Sequence, residues 1–468
     1  MIAEDDGVGA EGAAVVDTRA ASVGARGSDG LVRQIWALAW PAITHMLLLT
    51  MVFVVGRAMV GHYAPTALAA MQICGSITWA TVSIFTATAA GTLAVVARCV
   101  GAGDRAGAAA AARASLMFAA VLGALVAVPL LVADGALLRL LFPRAGEAVI
   151  AQADGYLRIV LPALPFAFVE AVAAASLQGA GDTRTPLLAA AAGNVVNVTL
   201  SALLIFGRLG LPEMGLQGAA VGAAATMTIE GLLLFFALAA RSSPLPLRRG
   251  ADGARALSRV LRVALPAFAE RVAYQTGYLG YVAIIGLLGA AAMAANQALI
   301  SVESICFLSA DGFGIAAGAL VAQKLGAGRP DEAARAGRTA TWMAVLVLCG
   351  VGLIFAAAPR LLMLPFTRDP AIVELGARTL YVGAVAQPFM AFAMVMAMAL
   401  RGAGATRAVL SVTLLCSLVV RLGATWLFAI TLGYGLMGVW MGSTADWIVR
   451  TALLAAVWAR GRWQEVRV

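Results

Sequence analysis

The sequence predicts an all-α polytopic membrane protein with twelve transmembrane helices, from its composition, its apolar segments and an internal duplication. The 468-residue chain is 62% hydrophobic and only 12% charged, whereas soluble domains contain roughly 25% charged residues. Segments long enough to cross a hydrocarbon core, about 20 residues each, occur six times in each half of the chain. They lie near residues 34–57, 66–97, 110–133, 151–178, 186–207 and 214–240, and then near 258–289, 292–323, 337–358, 373–400, 408–431 and 434–459.

The two halves of the chain are copies of one pattern. The segment LQGAGDTRTP at 177–186 returns as LRGAGATRAV at 400–409, an offset of 223 residues, and earlier in the chain an offset of 225 relates Pro41 to Pro266. Because each repeat holds an even number of helices, both repeats begin on the same side of the membrane. Two parallel six-helix repeats related by an axis along the membrane normal are typical of transporters. We therefore expect an N-lobe and a C-lobe around a central cavity.

Basic residues are concentrated in alternate loops. The even-numbered loops and the C-terminal tail hold most of the arginines, including Arg98, Arg184, Arg401 and Arg407. The positive-inside rule then places both termini in the cytoplasm, and this topology explains the net charge of +9 without a nucleic-acid partner. The predicted divisions are a disordered cytoplasmic tail (1–30), the N-lobe (31–240), a cytoplasmic linker (241–257), the C-lobe (258–460) and a second cytoplasmic tail (461–468).

Several motifs, in order, resemble those of the multidrug and toxic compound extrusion (MATE) family. They are ALAAMQ at 67–72, LQGAGDTRTP at 177–186, Asn194 with Asn197, and LGAGRPDEA at 325–333. The resemblance implies a twelve-helix antiporter that exports small organic, often cationic and amphipathic compounds in exchange for H⁺ or Na⁺, with no other cofactor. It also implies a multi-pass protein of the plasma (inner) membrane of a prokaryote, surrounded by lipid. We expect a monomer.

The duplicated glycine motif marks helix ends. Gly179 and Gly181 in the first copy, and Gly402 and Gly404 in the second, suit the end of a helix because glycine tolerates left-handed backbone. Asp182 follows where the next helix begins, and its carboxylate can cap free N–H groups there. We interpret the motif as a structural turn that couples lobe movement rather than as a substrate contact.

Ionisable residues inside the apolar segments are the candidate coupling and substrate residues, because charge at the bilayer centre is costly. Glu270 lies four residues after Pro266 in the seventh helix, where it could bind a proton, Na⁺ or a cationic compound. Its counterpart in the first repeat is His45, also four residues after a proline, and histidine titrates near physiological pH. Alternatively, a basic residue on another helix neutralises Glu270; the adjacent Arg271 points about 100° away and is a poor partner.

Two more acids lie on the eighth helix. Glu303 and Asp311 are eight residues apart, where the first repeat has Thr78 and Thr86. Together with Glu270 they could form a negatively charged cavity that binds cations, including Na⁺, or they could be buried against arginines. The uncharged candidates for the cavity are Tyr274, Tyr278, Gln297, Asn194 and Asn197.

Other positions also bear on which residues could couple transport to an ion. Many family members have an aspartate in the first helix, and Gly56 occupies that position here, so coupling falls to the C-lobe acids or follows another mechanism. Asp446 and Arg450, four residues apart, are spaced for an intrahelical ion pair. Glu170 and Glu230 lack a basic residue at helical spacing, and either could face the cavity.

Three other functions are weaker alternatives. A flippase for lipid-linked oligosaccharides, of the same superfamily, would hold pyrophosphate with cationic residues. The ionisable residues inside the apolar segments here are mostly acidic. A channel would not need duplicated lobes that shift between two conformations. A membrane-embedded enzyme is disfavoured because the sequence contains no metal-ligand spacing, phosphate loop, nucleophile elbow or haem motif, and only two histidines.

Overall fold

The computed structural model describes residues 28–63, 65–85, 87–141, 146–240, 245, 253–366 and 369–466, and within these ranges it is helical with no strand. The expectation of a disordered tail therefore lies almost entirely outside the described residues, as does most of the 241–257 linker. The helices are α1 (Ser28–Tyr63), α2 (Pro65–Phe85), α3 (Ala87–Gly101), α4 (Arg105–Leu141), α5 (Glu147–Val160), α6 (Leu164–Ala180), α7 (Arg184–Ile205), α8 (Leu216–Ala239), α9 (Gly253–Leu287), α10 (Ala290–Gly326), α11 (Pro330–Ala357), α12 (Pro359–Met363), α13 (Pro370–Gly402), α14 (Thr406–Leu414), α15 (Arg421–Trp426) and α16 (Gly435–Ala459).

Within the described residues, these helices form the twelve predicted membrane-length segments. The second segment consists of α2 and α3, and the fourth of α5 and α6, joined by a 3₁₀ turn at Leu161–Ala163. The eleventh consists of α14 and α15 with two π-helical stretches, Leu415–Val420 and Leu427–Thr431. Nine described stretches are long and apolar enough to span a membrane by length and composition alone. The predicted all-α, twelve-helix architecture is confirmed.

Tight turns connect the helices at the end of the bundle where α1 begins and α16 ends, here called the termini end. Gly181 and Gly404, with φ of 95° and 88°, occupy equivalent turns after α6 and α13. Residues with a Cβ rarely adopt this left-handed backbone, which explains why the glycine motif recurs at the ends of these helices. After the first of these turns Asp182 accepts hydrogen bonds from the backbone N–H groups of Arg184 and Thr185, both at 3.0 Å, so the predicted helix cap is confirmed.

The first helix of each repeat packs into the opposite lobe near the termini end. Ile35 and Ala39 of α1 are fully buried in the hydrophobic core formed by α10, α11 and α13. Reciprocally, Ala256 and Val260 of α9 belong to the core of the N-lobe. Burial of this apolar surface holds the two lobes together. The lobes therefore exchange equivalent elements at the termini end.

Two glycines allow α3 and α10 to touch at the termini end. A Cβ on Gly101 would overlap the backbone carbonyl of Gln323, and a Cβ on Gly326 would overlap that of Arg98. The duplication offset of 225 relates both glycines to each other, and likewise Arg98 to Gln323. The two contacts are therefore one interaction repeated around the pseudo-twofold axis.

Crossed hydrogen bonds reinforce this contact. Arg98 Nη1 of the N-lobe donates to the carbonyl of Ala403 at 3.4 Å, and Gln323 Nε2 of the C-lobe donates to the carbonyl of Gly179 at 2.8 Å. Each bond runs from the end of one repeat's second segment to the end of the other repeat's fourth segment. In this conformation the lobes are closed against each other at the termini end.

We predict that Gly326→Ala opens the termini end, because the atoms that the new methyl group would meet belong to the backbone of α3 and cannot rotate away. The measurement is the rate at which Cys99, a buried thiol in this region, reacts with a water-soluble maleimide when the other four cysteines are serine. We expect faster labelling of Gly326→Ala than of the parent. The control is Gly350→Ala, where a Cβ has nothing within 4 Å; equal labelling of all three proteins would contradict the prediction.

Candidate functional site

Glu270 forms a buried ion pair with an arginine from another helix. Its carboxylate, on α9, accepts hydrogen bonds from Arg401 Nη2 at 2.7 Å and Nε at 3.0 Å, and from Thr413 Oγ1 at 3.2 Å. The sequence led us to expect Arg401 in a cytoplasmic loop. In the structure it lies on α13 instead, because that helix continues to Gly402. Helical side chains point back towards the N-terminus of their helix, so this guanidinium reaches into the bundle.

A second buried charge cluster adjoins the first. Asp446, fully buried on α16, pairs with Arg450 at 3.1 Å, which confirms the predicted intrahelical pair, and also with Arg421 at 2.7 Å. Arg450 Nη1 donates to Thr413 Oγ1 at 3.2 Å, and Thr413 in turn donates to Glu270. One hydrogen-bonded network therefore connects Arg401 to Arg421 through the C-lobe interior.

Aromatic side chains surround Arg421, which lies between the two π-helical stretches. Its guanidinium lies 5.6 Å from the ring centroid of Tyr274, 5.8 Å from that of Tyr281 and 5.4 Å from that of Trp447. Tyr278 stacks on Tyr281 with centroids 6.2 Å apart. Such distances are typical of cation–π contacts. The ring of Tyr274, one of the candidates for the cavity, thus contacts an internal arginine in this conformation.

The other two C-lobe acids are held separately from Glu270. Glu303 accepts a hydrogen bond of 3.4 Å from Gln387 Nε2 on α13, whereas Asp311 has no ion pair within the described part of the chain and lies within electrostatic range of Arg271 and Arg401. No group of three His, Cys, Asp or Glu side chains among the described residues is placed to hold a metal ion. The predicted Na⁺ site at these acids is therefore not assembled as a cluster in this conformation.

Two neighbouring amides of α10 lie in different surroundings. Gln297 is exposed, while Asn296 is buried and accepts a hydrogen bond of 3.1 Å from Trp440 Nε1. Adjacent helical residues point about 100° apart, and a uniformly apolar helix gives no signal for which of the two faces inwards. Packing against α16 decides it.

His45 lies in a tightly packed part of α1. The side chain is 3% exposed, and neither ring nitrogen has a hydrogen-bond partner within the part of the chain that the structure describes. Two residues earlier, Ile43 contacts Gly312 of α10 so closely that a Cβ there would overlap it. The imidazole is thus a buried polar group at the boundary between the lobes.

Two threonines of the first repeat are equivalent to Glu303 and Asp311. The hydroxyl of Thr78 is buried and has no hydrogen-bond partner among the described residues, and Thr86 lies outside the described residues.

The N-lobe interior contains two acids without a basic partner. Glu230 on α8 is 5% exposed, and its Oε1 has no hydrogen-bond partner among the described residues. It packs directly on Gly193 of α7, where a Cβ would overlap its carboxylate. Glu170 of α6 lies within electrostatic range of Glu230. No described arginine, lysine or histidine forms a salt bridge with either carboxylate.

Neutral polar groups line the same part of α7. Thr226 Oγ1 bonds to the carbonyl of Gly193 at 3.2 Å, and the amide nitrogen of Asn194 is buried without a partner in the described structure. Asn197, another candidate for the cavity, is buried and accepts a hydrogen bond from Ser201 Oγ at 3.5 Å within α7. An unbonded carboxylate oxygen and an unbonded amide thus lie on facing segments of α7 and α8.

Comparison with known proteins identifies the chain. The MatE family model matches residues 41–203 and 266–427, so the model aligns once with each repeat, and the two matches begin at Pro41 and Pro266, the pair that defined the duplication. The chain belongs to the MatE family. Membership makes it a transporter rather than an enzyme.

Individual relatives and structures agree with this family. The chain is 29% identical over 435 residues to a "Probable multidrug resistance protein NorM" of Thermotoga maritima, covering 92% of this chain and 93% of that protein. It is 32% identical over 431 residues to a protein of the same description from Pseudomonas aeruginosa, covering 88% and 86%. Its fold resembles an outward-facing multidrug resistance MATE family transporter of the MOP superfamily, with a TM-score of 0.84, 21% identity and coverage of 92% and 95%.

We predict that Arg401→Gln destabilises this MatE protein strongly, because it leaves the Glu270 carboxylate buried and unpaired. Removing one partner of a buried pair costs about 3–5 kcal/mol. The double variant Arg401→Gln/Glu270→Gln removes both charges and should recover much of this loss. Thermal unfolding of the purified proteins in detergent measures both. Equal destabilisation by the single and double variants would show that the pair is not what stabilises this region.

Proposed function

We propose that this protein is a secondary antiporter that exports small organic, cationic and amphipathic compounds in exchange for H⁺ or Na⁺. Both described relatives carry names that refer to multidrug resistance, which supports multidrug efflux as the activity. By the positive-inside rule the termini end faces the cytoplasm, in the inner membrane of a prokaryote. The contact between Gly101 and Gln323, and its symmetric copy, then closes the cytoplasmic side, and export requires that contact to break and re-form.

The observation that supports ion coupling is the pair of N-lobe acids, Glu230 and Glu170, with which no described basic side chain forms a salt bridge. Burying a carboxylate without a partner is costly, so Glu230 gains stability from any proton or cation that binds it. Glu170 adds a second negative charge, which strengthens the attraction for a proton or Na⁺. When that ion is released, the free-energy cost of the buried carboxylate returns. An ion can shift the equilibrium between two conformations only through such a difference in affinity.

In the C-lobe, by contrast, two of the buried acids are neutralised by arginines. Glu270 pairs with Arg401, and Asp446 pairs with two arginines, so neither carboxylate needs an external ion. Coupling roles for Glu270, Glu303, Asp311 and His45 remain predictions, and of the four we favour Glu303, because its one hydrogen bond within the described structure comes from the neutral amide of Gln387. The buried arginines are occupied by these acids, so they offer no free site for pyrophosphate, and the flippase alternative gains no support.

We predict that Glu230→Gln abolishes gradient-driven efflux. Dye efflux from everted membrane vesicles is measured with an imposed pH gradient and, separately, a Na⁺ gradient, and the variant should fall to the rate of vesicles without the protein. Whichever gradient drives the parent identifies the coupling ion. The matched control is Glu213→Gln, an exposed acid in the α7–α8 connection, which should transport like the parent. Parental efflux by Glu230→Gln under both gradients would remove this acid from the mechanism.

A further inference from the structure

The second copy of the glycine motif lacks the acid that caps the first. In the N-lobe, the Asp182 carboxylate binds the first N–H groups of α7. The offset of 223 relates Asp182 to Ala405, and no side chain caps α14. The N-terminus of a helix attracts negative charge through its free N–H groups and its dipole. In the N-lobe, the Asp182 carboxylate therefore occupies the start of α7. In the C-lobe, the equivalent position at the start of α14 has no carboxylate in the described structure.

A cavity of about 460 Å³ lies at this position. It opens at the termini end, between the start of α9, the turn before α14 and the end of α16. Its charged lining consists of arginines alone. The lining residues are Arg262, Val263, Gly404, Ala405, Thr406, Arg407, Ala408, Val457, Arg460, Arg462, Trp463 and Val466.

The four arginines of this cavity lack a counter-ion among the described residues. Within the part of the chain that the structure describes, Arg262, Arg407, Arg460 and Arg462 form no salt bridge, unlike Arg401, Arg421 and Arg450, which are paired with acids. Glu465, the nearest acid in sequence, does not line the cavity. Four like charges around one space repel one another, and an anion placed between them relieves that repulsion.

The geometry points to the phosphate headgroup of an anionic phospholipid as the ligand of this cavity. Guanidinium groups bind phosphate in a planar, bidentate manner, and the N-terminus of a helix is a common phosphate site. The arginines alternate with Val263, Val457 and Val466, which suit the glycerol and upper acyl chain. Basic pockets between helices at the membrane surface are typical sites for anionic lipid headgroups.

Such a lipid would connect a helix segment that packs in the N-lobe with helices of the C-lobe. Arg262 lies on α9, two residues beyond Val260, which is buried in the N-lobe core, whereas Arg407 and Arg460 belong to α14 and the end of α16. A phosphate held by all three would link the exchanged segment of α9 to the C-lobe. Lipid composition should then affect the closed termini end, independently of which ion drives transport.

The test is lipid binding by the full-length protein in detergent, followed by native mass spectrometry, with phosphatidylglycerol and phosphatidylcholine of identical acyl chains. We expect the parent to retain phosphatidylglycerol preferentially, and Arg407→Gln/Arg460→Gln/Arg462→Gln to lose one bound phosphatidylglycerol. The control Arg105→Gln/Arg184→Gln/Arg335→Gln removes three exposed arginines of the same end outside the cavity, including the symmetry mate of Arg407. It should bind like the parent.

A second pair of variants tests the vacant cap position. Ala405→Asp places a carboxylate where Asp182 lies in the N-lobe and should weaken phosphatidylglycerol binding, whereas Ala405→Asn caps the helix without charge and should not. Equal retention by both arginine variants, or equal binding of the two lipids, would overturn the proposal. Displacement of the lipid by low concentrations of inorganic phosphate would assign the cavity to a soluble anion instead. Because binding is measured directly, these outcomes do not depend on transport activity.

Discussion

The close approach of α3 and α10 at the termini end is the constraint on which the arrangement of the two lobes depends. Gly101 and Gly326 bring two helix backbones into contact, and the segments of α1 and α9 that cross between lobes are buried around that contact. Backbone atoms cannot rotate away as side chains can, so the contact is either made or broken. Packed interfaces of this kind favour two discrete states over continuous deformation, as alternating access requires.

The two lobes treat buried charge differently, although they share a fold. The C-lobe neutralises two of its buried acids internally: Arg401, Arg421 and Arg450 converge on Glu270 and Asp446 from three helices. In the N-lobe, no described basic side chain pairs with Glu230 or Glu170. Neutralised charges stabilise one arrangement of helices, whereas these two acids are the groups to which we assign ion binding in our proposal. The repeat therefore supplies symmetric moving parts with unequal chemistry.

Features that depend on neighbouring residues were predictable. The apolar segments, the glycine turns, the Asp182 cap and the Asp446–Arg450 pair all arise within one helix or one turn, so spacing alone indicates them. Contacts between helices were not. Arg401 was assigned to a loop, the buried contact of Asn296 was not foreseen, and the partner of Glu270 was unknown, because each depends on helix rotation and on where a helix ends. Arg421 lies in the middle of an apolar segment, and with Glu270 and the Asp446–Arg450 pair it was a visible sign that an internal network exists.

The sequence by itself determined the membrane location, the twelve helices and the duplication, since hydrophobicity and the backbone preferences of glycine and proline act locally. Only the tertiary structure decided which charges are paired, which acids stay unpaired, and that Ala405 borders a cavity of arginines where Asp182 caps a helix. The physical reason is distance. The energy of a buried charge depends on atoms a few ångströms away, and for Glu270 those atoms belong to Arg401 and Thr413, more than a hundred positions away in the sequence.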